Sequence, residues 1–173
     1  MEKDWLSIWK KSQLEKVLKT NEMTEKYGLS LREEDAKLLL EERSFSLKEQ
    51  KRVEFLGGIT EKLIYEFCDC PYLDQSSYVE TMIRLQEIFY LYKNETEEEL
   101  TDDELLHLMR EQFEKLCYGD LDYLESTCLA QFAQAIRRGY RGHRGTDGYG
   151  EYARFDEVQR WDEHLYFEVL KDQ

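Results

Sequence analysis

The chain has 173 residues, of which 41% are hydrophobic and 13% aromatic, enough to bury one substantial core. Its formal net charge of −14 and pI near 4.7 exclude general binding to nucleic acid or to anionic membranes, because the mean field repels phosphate. A 36% charged fraction, a single proline and a succession of helix-period segments point to an all-α protein, a single compact bundle of six or seven helices; strands would need more alternation and more turn residues.

No apolar run approaches the ~20 residues of a membrane span. The first residues, MEKDWLSIWKKSQLEK, lack the apolar core and small-residue cleavage site of a signal peptide, so a cytoplasmic protein is expected. Cys68, Cys70, Cys117 and Cys128 lie at helix-compatible positions in a chain large enough to fold without staples, and they read as reduced thiols.

Residues 1–11 carry Trp5, Leu6, Ile8 and Trp9 between charges, the spacing of a short amphipathic arm whose partner is not readable. Ser12-x-x-Glu15 has the form of a capping box and predicts a helix from Gln13 carrying Leu14, Val17 and Leu18, interrupted near Thr20-Asn21. Gly28 fits the left-handed position beyond a helix end, with Leu29 folding back. Ser30-x-x-Glu33 predicts the next helix, Leu31 to about Gln50, with Ala36, Leu39, Leu40 and Leu47 on one face and Leu38 and Phe45 on another, as if it were contacted from two sides. Arg43 falls in the apolar face and is expected to reach outward or to meet a carboxylate.

The densest apolar block runs from Arg52 to Lys93. Beyond Gly57-Gly58, which reads as a helix-separating turn or a close backbone contact, Ile59, Leu63, Ile64 and Phe67 recur at helical spacing, and Pro71 ends that helix near Asp69. Ser76 or Ser77 caps the next, where Tyr78, Met82, Leu85, Phe89 and Tyr92 form a stripe widened by Val79, Ile83 and Ile88. So wide a stripe marks a central, mostly covered helix. An acidic connector from Asn94 to Leu100 favours solvation. Thr101-x-x-Glu104 is a third capping box, followed by Leu105, Met109, Phe113 and Leu116 and closed by Gly119. The helix after it, Asp120 to Ile136, is expected to turn Leu121, Leu124, Cys128, Phe132 and Ala135 inward.

Residues 137–154 change character: five of the nine glycines and five arginines, with almost no aliphatic side chain. This is a linker or a binding loop. From Phe155 the pattern recovers, with Val158, Trp161, Leu165 and Val169 on one side of a last helix; HLYFEVL also fits a strand, but no second strand is available to it. The expected organisation is a helical core over 1–136, a Gly/Arg-rich loop over 137–154 and a C-terminal helix over 155–173 packing on the core.

The segments GLSL (28–31), RVEFLGGITEKLIYEFCDCPYL (52–73), FYLYKNE (89–95) and LDYL (121–124) are similar to a family of uncharacterised bacterial proteins from Firmicutes, over about residues 20–136. The resemblance implies a small bacterial cytosolic protein and assigns no activity or catalytic residue.

Glu104-x-x-His107 places a carboxylate and an imidazole one helical turn apart, the spacing used in carboxylate-bridged di-iron bundles. Here it occurs once, and Leu105, Met109 and Phe113 leave His107 towards the edge of the buried face. Cys68-Asp-Cys70 sits at a helix C-terminus, where the dipole raises a thiol pKa, and no further Cys or His recurs at zinc-pair spacing. Buried hydrophobic cysteines are the simpler reading. Phosphate-loop and nucleophile-elbow patterns are absent.

These residues supply no catalytic, cofactor-binding or metal-ligating set, and the reading leans away from an enzyme towards an acidic cytosolic module that binds a protein partner. Its expected contact is Arg137, Arg138, Arg141 and Arg144, in a stretch of net charge +3 within a chain that is otherwise −17. Two other classes stay open: a metal-dependent enzyme using Glu104, His107 and cysteines, and an RNA- or phosphate-binding protein using the Arg137–Arg154 stretch.

Overall fold

A computed structural model describes residues 2–54 and 58–139. The expected C-terminal helix and most of the Gly/Arg stretch, Arg141 and Arg144 included, lie outside the described residues, as do Phe55, Leu56 and Gly57. The protein is all-α: the described residues hold six helices of eight residues or more, joined by turns, and no strand. Two compact units divide the chain, residues 1–94 and 95–173.

In the first unit, α1 (Glu2–Lys19) is followed by the short α2 (Asn21–Thr24) and a 3-10 turn over Glu25–Tyr27. The predicted start at Gln13 is therefore corrected: α1 is helical from Glu2. Nothing between Glu2 and Ser12 breaks a helix, and a Ser-x-x-Glu pair inside a segment that is already helical has no free N–H groups to cap. The interruption at Thr20 is where it was expected. Gly28 adopts φ +80°, Leu29 N–H returns to the Thr24 carbonyl (3.2 Å), and the Leu29 side chain is buried.

α3 (Glu33–Glu49) begins two residues later than Ser30-x-x-Glu33 predicts. The segment before it is held extended by amide clamps. Asn21 bonds both the N–H and the carbonyl of Leu31 (2.8 and 2.9 Å), and Gln75 does the same for Ser30 (2.8 and 3.1 Å). With those groups engaged, the cap moves to Arg32, whose N–H donates to Asp35 (3.0 Å). Ala36 and Leu39 are buried on α3, whereas Leu38 and Phe45 are exposed, so the expected second contact face is not formed among the described residues.

α4 (Thr60–Phe67) buries Leu63, Ile64 and Phe67, and α5 (Tyr78–Glu95) buries the whole stripe from Tyr78 to Tyr92 together with Gln86 and Tyr90. Asp74, rather than either serine, organises the start of α5: its Oδ1 accepts from Ser76 Oγ (2.6 Å) and from Ser77 N–H (3.1 Å). α1 packs on α3 and α4, and α3 packs on α4. Gln86 ties α5 to α3 and α4, donating to the Leu39 carbonyl (3.1 Å) and accepting from Thr60 Oγ1 (2.6 Å). All three groups are buried, so each hydrogen bond spares an otherwise unsatisfied polar atom.

In the second unit, α6 (Asp102–Lys115) starts at the expected box, Thr101 N–H donating to Glu104 (2.9 Å) and Glu104 N–H to Thr101 Oγ1 (3.1 Å). It ends in a left-handed turn, Tyr118 at φ 48° and Gly119 at φ 85°, with Gly119 N–H reaching back to the Phe113 carbonyl (2.9 Å). Next come α7 (Leu121–Tyr123), one π-helical turn over Leu124–Cys128 and α8 (Leu129–Arg137). That turn corrects the predicted face. It inserts one residue into the repeat: Leu124 and Phe132 are buried as expected, but Leu129, Ala133 and Ile136 are buried with them, while the expected Cys128 and Ala135 are only half-buried.

Candidate functional site

Within the first unit the most polar buried feature centres on Arg43. Its position follows from helix geometry: Ala36, Leu39, Arg43 and Ser46 recur at intervals of three and four and are all buried on α3. The guanidinium donates through Nε (3.1 Å) and Nη2 (2.7 Å) to Glu54 Oε1, through Nε to the Tyr90 hydroxyl (3.3 Å) and through Nη1 to Gln13 Oε1 (3.4 Å). Tyr90 in turn donates to Glu54 Oε1 (2.8 Å). Four segments, α1, α3, the loop at Glu54 and α5, thus meet at one ion pair.

Burial opposes the Arg43 charge, but Glu54 and Tyr90 outweigh it and hold the guanidinium above its ordinary range. Burial and the neighbouring Glu54 charge push the Tyr90 hydroxyl well up, so it remains a donor. With three donors on Glu54 Oε1, the cluster works as a clasp between elements rather than as an acid–base pair.

Gly58 completes the clasp. A methyl placed on its Cα would lie 2.0 Å from Arg43 Nε, so only hydrogen fits beneath the guanidinium. Gly58→Ala is expected to cost about 1–3 kcal/mol in urea unfolding, as overpacking against a group that cannot retreat without abandoning Glu54. A loss below about 0.5 kcal/mol, within the usual range for surface changes, would show that Arg43 shifts freely.

α1 presents a different feature. Trp5 is 72% exposed, Leu6 58%, Ile8 67% and Trp9 42%, while the next turns bury Gln13 and Val17. The helix is anchored by its C-terminal half and displays two indoles and two aliphatic side chains on the other.

In the second unit Glu104 is engaged in the α6 cap and His107 is half-buried one turn further on. Among the described residues no group of three or more His, Cys, Asp or Glu side chains is placed to hold a metal ion. Arg137 Nη1 bonds both the carboxylate (2.9 Å) and the carbonyl (2.9 Å) of Glu95, and Arg138 is exposed beside it. Cys68, Cys70 and Cys117 are buried, Cys128 is half-buried, and all four are free thiols. Cys117 and Cys128 bring their sulfurs to 3.5 Å, a pairing that no motif announced, because the π-helical turn decides where Cys128 points.

Sequence reasoning placed Arg43 in an apolar face and left open whether it reaches outward or meets a carboxylate; the structure selects the carboxylate, and spacing alone did not find Glu54, Tyr90 or Gln13. Glu54 lies in a loop with no periodic signal, and Tyr90 sits beside the α5 stripe rather than in it.

A family model described as "Family of unknown function (DUF6323)" matches residues 16–142. No curated protein and no solved structure matches the chain.

Proposed function

The chain belongs to DUF6323, a family of unknown function, and from that premise we propose that it acts as a small helical module that binds a protein partner. The observation that carries this reading is the exposed half of α1, where Trp5, Leu6, Ile8 and Trp9 stand in solvent on a helix held at its other end. Tryptophan anchors are characteristic of helix-in-groove recognition, in which an amphipathic helix lays its apolar face into a partner's cleft. These four residues precede the family match, which begins at residue 16. No helix among the described residues is long and apolar enough to cross a membrane.

The test compares wild type with the Trp5→Ser/Trp9→Ser variant by native mass spectrometry of complexes isolated from the source cell, with urea unfolding as a control. The variant is expected to keep its stability, because both indoles are exposed, and to lose at least ten-fold in affinity for a partner recovered in stoichiometric amount with the wild type. Recovery of that partner in equal amount with both proteins would move the site elsewhere. Arg137, Arg138, Arg141 and Arg144 are the second candidate contact, for a carboxylate-rich surface. Since Arg137 already holds Glu95, that reading leans on the other three.

A further inference from the structure

We propose that Cys117 and Cys128 form a reversible dithiol–disulfide site that exchanges electrons with low-molecular-weight disulfides. It lies within the family match, whereas the exposed half of α1 precedes it, and it does not depend on the interaction reading.

The geometry carries it. The two sulfurs are 3.5 Å apart across the turn between α6 and the following helix, and a disulfide spans about 2.0 Å, so bonding needs only a small approach. Both ends are set by irregular backbone. Cys117 precedes Tyr118, a non-glycine residue held at φ 48°, and Cys128 closes the π-helical turn Leu124–Cys128. Such departures are retained where a side chain must be aimed, and here the two departures aim thiols at each other. Nearby Gln112 is buried with its Oε1 lacking a hydrogen-bond partner among the described residues, while its carbonyl accepts from the N–H groups of Leu116 and Cys117. The turn is therefore fixed by backbone bonds rather than by that side chain.

Unequal burial divides the roles. Cys128 is half-buried and Cys117 buried, so an incoming disulfide meets Cys128. The hydrogen bond with Cys128 and burial both push the Cys117 thiol up, which keeps it protonated at rest and leaves the first attack to its neighbour. Cys128, as thiolate, attacks one sulfur of the small disulfide, forming a mixed disulfide and expelling one small thiolate. Cys117 then gives up its proton to solvent or to that thiolate and attacks Cys128 Sγ, expelling the second. Two protein thiols and one small disulfide become one protein disulfide and two small thiols; two electrons and two protons pass to the small molecule.

The experiment equilibrates the reduced full-length chain with mixtures of reduced and oxidised glutathione, alkylates the remaining thiols after unfolding, and reads intact mass and proteolytic peptides. The wild type is expected to lose two hydrogens, to retain no glutathione, and to lose alkylation at Cys117 and Cys128 together while Cys68 and Cys70 stay alkylated. Raising reduced glutathione reverses the change. Cys117→Ser should retain one glutathione on Cys128, and Cys128→Ser should react at least ten-fold more slowly with no internal bond formed. The proposal is overturned if the wild type keeps both thiols alkylated at every ratio, if it holds glutathione on Cys128 without an internal bond, or if the disulfide joins two copies. The decisive reading is on the wild type, so a variant that folds poorly does not obscure it.

Discussion

Arg43→Leu is expected to destabilise the protein by about 3–5 kcal/mol, because it leaves Glu54 with its acceptor oxygen turned into a protein interior and its cation gone. The Arg43 and Glu54 side chains are only 7% and 18% exposed, so water cannot replace the lost donors without the loop moving. Tyr90 would still donate, but a single neutral donor does not balance a carboxylate that is largely withdrawn from water. The double variant Arg43→Leu/Glu54→Leu should recover a large part of the loss, since an orphaned charge, more than a missing attraction, dominates the cost of breaking a buried pair. Urea unfolding of the two single variants and the double variant measures the coupling. Should Arg43→Leu cost less than about 1 kcal/mol, Glu54 must reach solvent on its own and the clasp is decorative.

Phe89→Ala should lose a comparable amount, about 3–5 kcal/mol, through a different mechanism. Phe89 is 1% exposed and meets the Tyr90 ring edge-on, with centroids 5.3 Å apart and planes at 84°. Truncation removes the transfer energy of the ring and leaves a cavity that the flanking buried Leu85 and Ile88 can only partly fill. Phe89→Leu, which keeps most of the volume, should cost less than about 2 kcal/mol. Denaturant midpoints with unchanged slopes would verify both values. A Phe89→Ala loss below about 1 kcal/mol would mean that the ring packs loosely and that α5 is less central than its stripe implies.

These two losses are also informative together. Arg43 and Tyr90 are joined through a hydrogen bond, and Tyr90 is the chain neighbour of Phe89, so cavity and clasp share a wall. Their combined variant is expected to lose less than the sum of the separate losses, as neighbours with shared partners commonly do.

Much of the helical architecture could be read from local rules. Thr101 and Glu104 form their box at the spacing that local rules require, Gly28 and Gly119 take the left-handed positions that side chains resist, and the α5 stripe is buried because its spacing matches one helix turn after another. The same rules failed where a distant group intervened. Gln75, forty-five residues away, engages the Ser30 backbone and the cap passes to Arg32, and the α7–α8 face shifts in part because a π-helical turn leaves no mark in apolar periodicity.

The sequence by itself determined the all-α class, the central stripe of α5, the presence of an arginine within an apolar face, and an acidic chain with a locally basic stretch. Each is a property of neighbours within about a helical turn or of composition, where propensity and periodicity act directly. Only the tertiary structure decided that Glu54, Tyr90 and Gln13 converge on Arg43, that Gly58 must remain bare beneath it, that Trp5 and Trp9 stay in solvent, and that Cys117 lies against Cys128. Those are contacts between residues far apart along the chain or across an irregular turn, where packing and hydrogen-bond satisfaction, which spacing does not encode, set the partners.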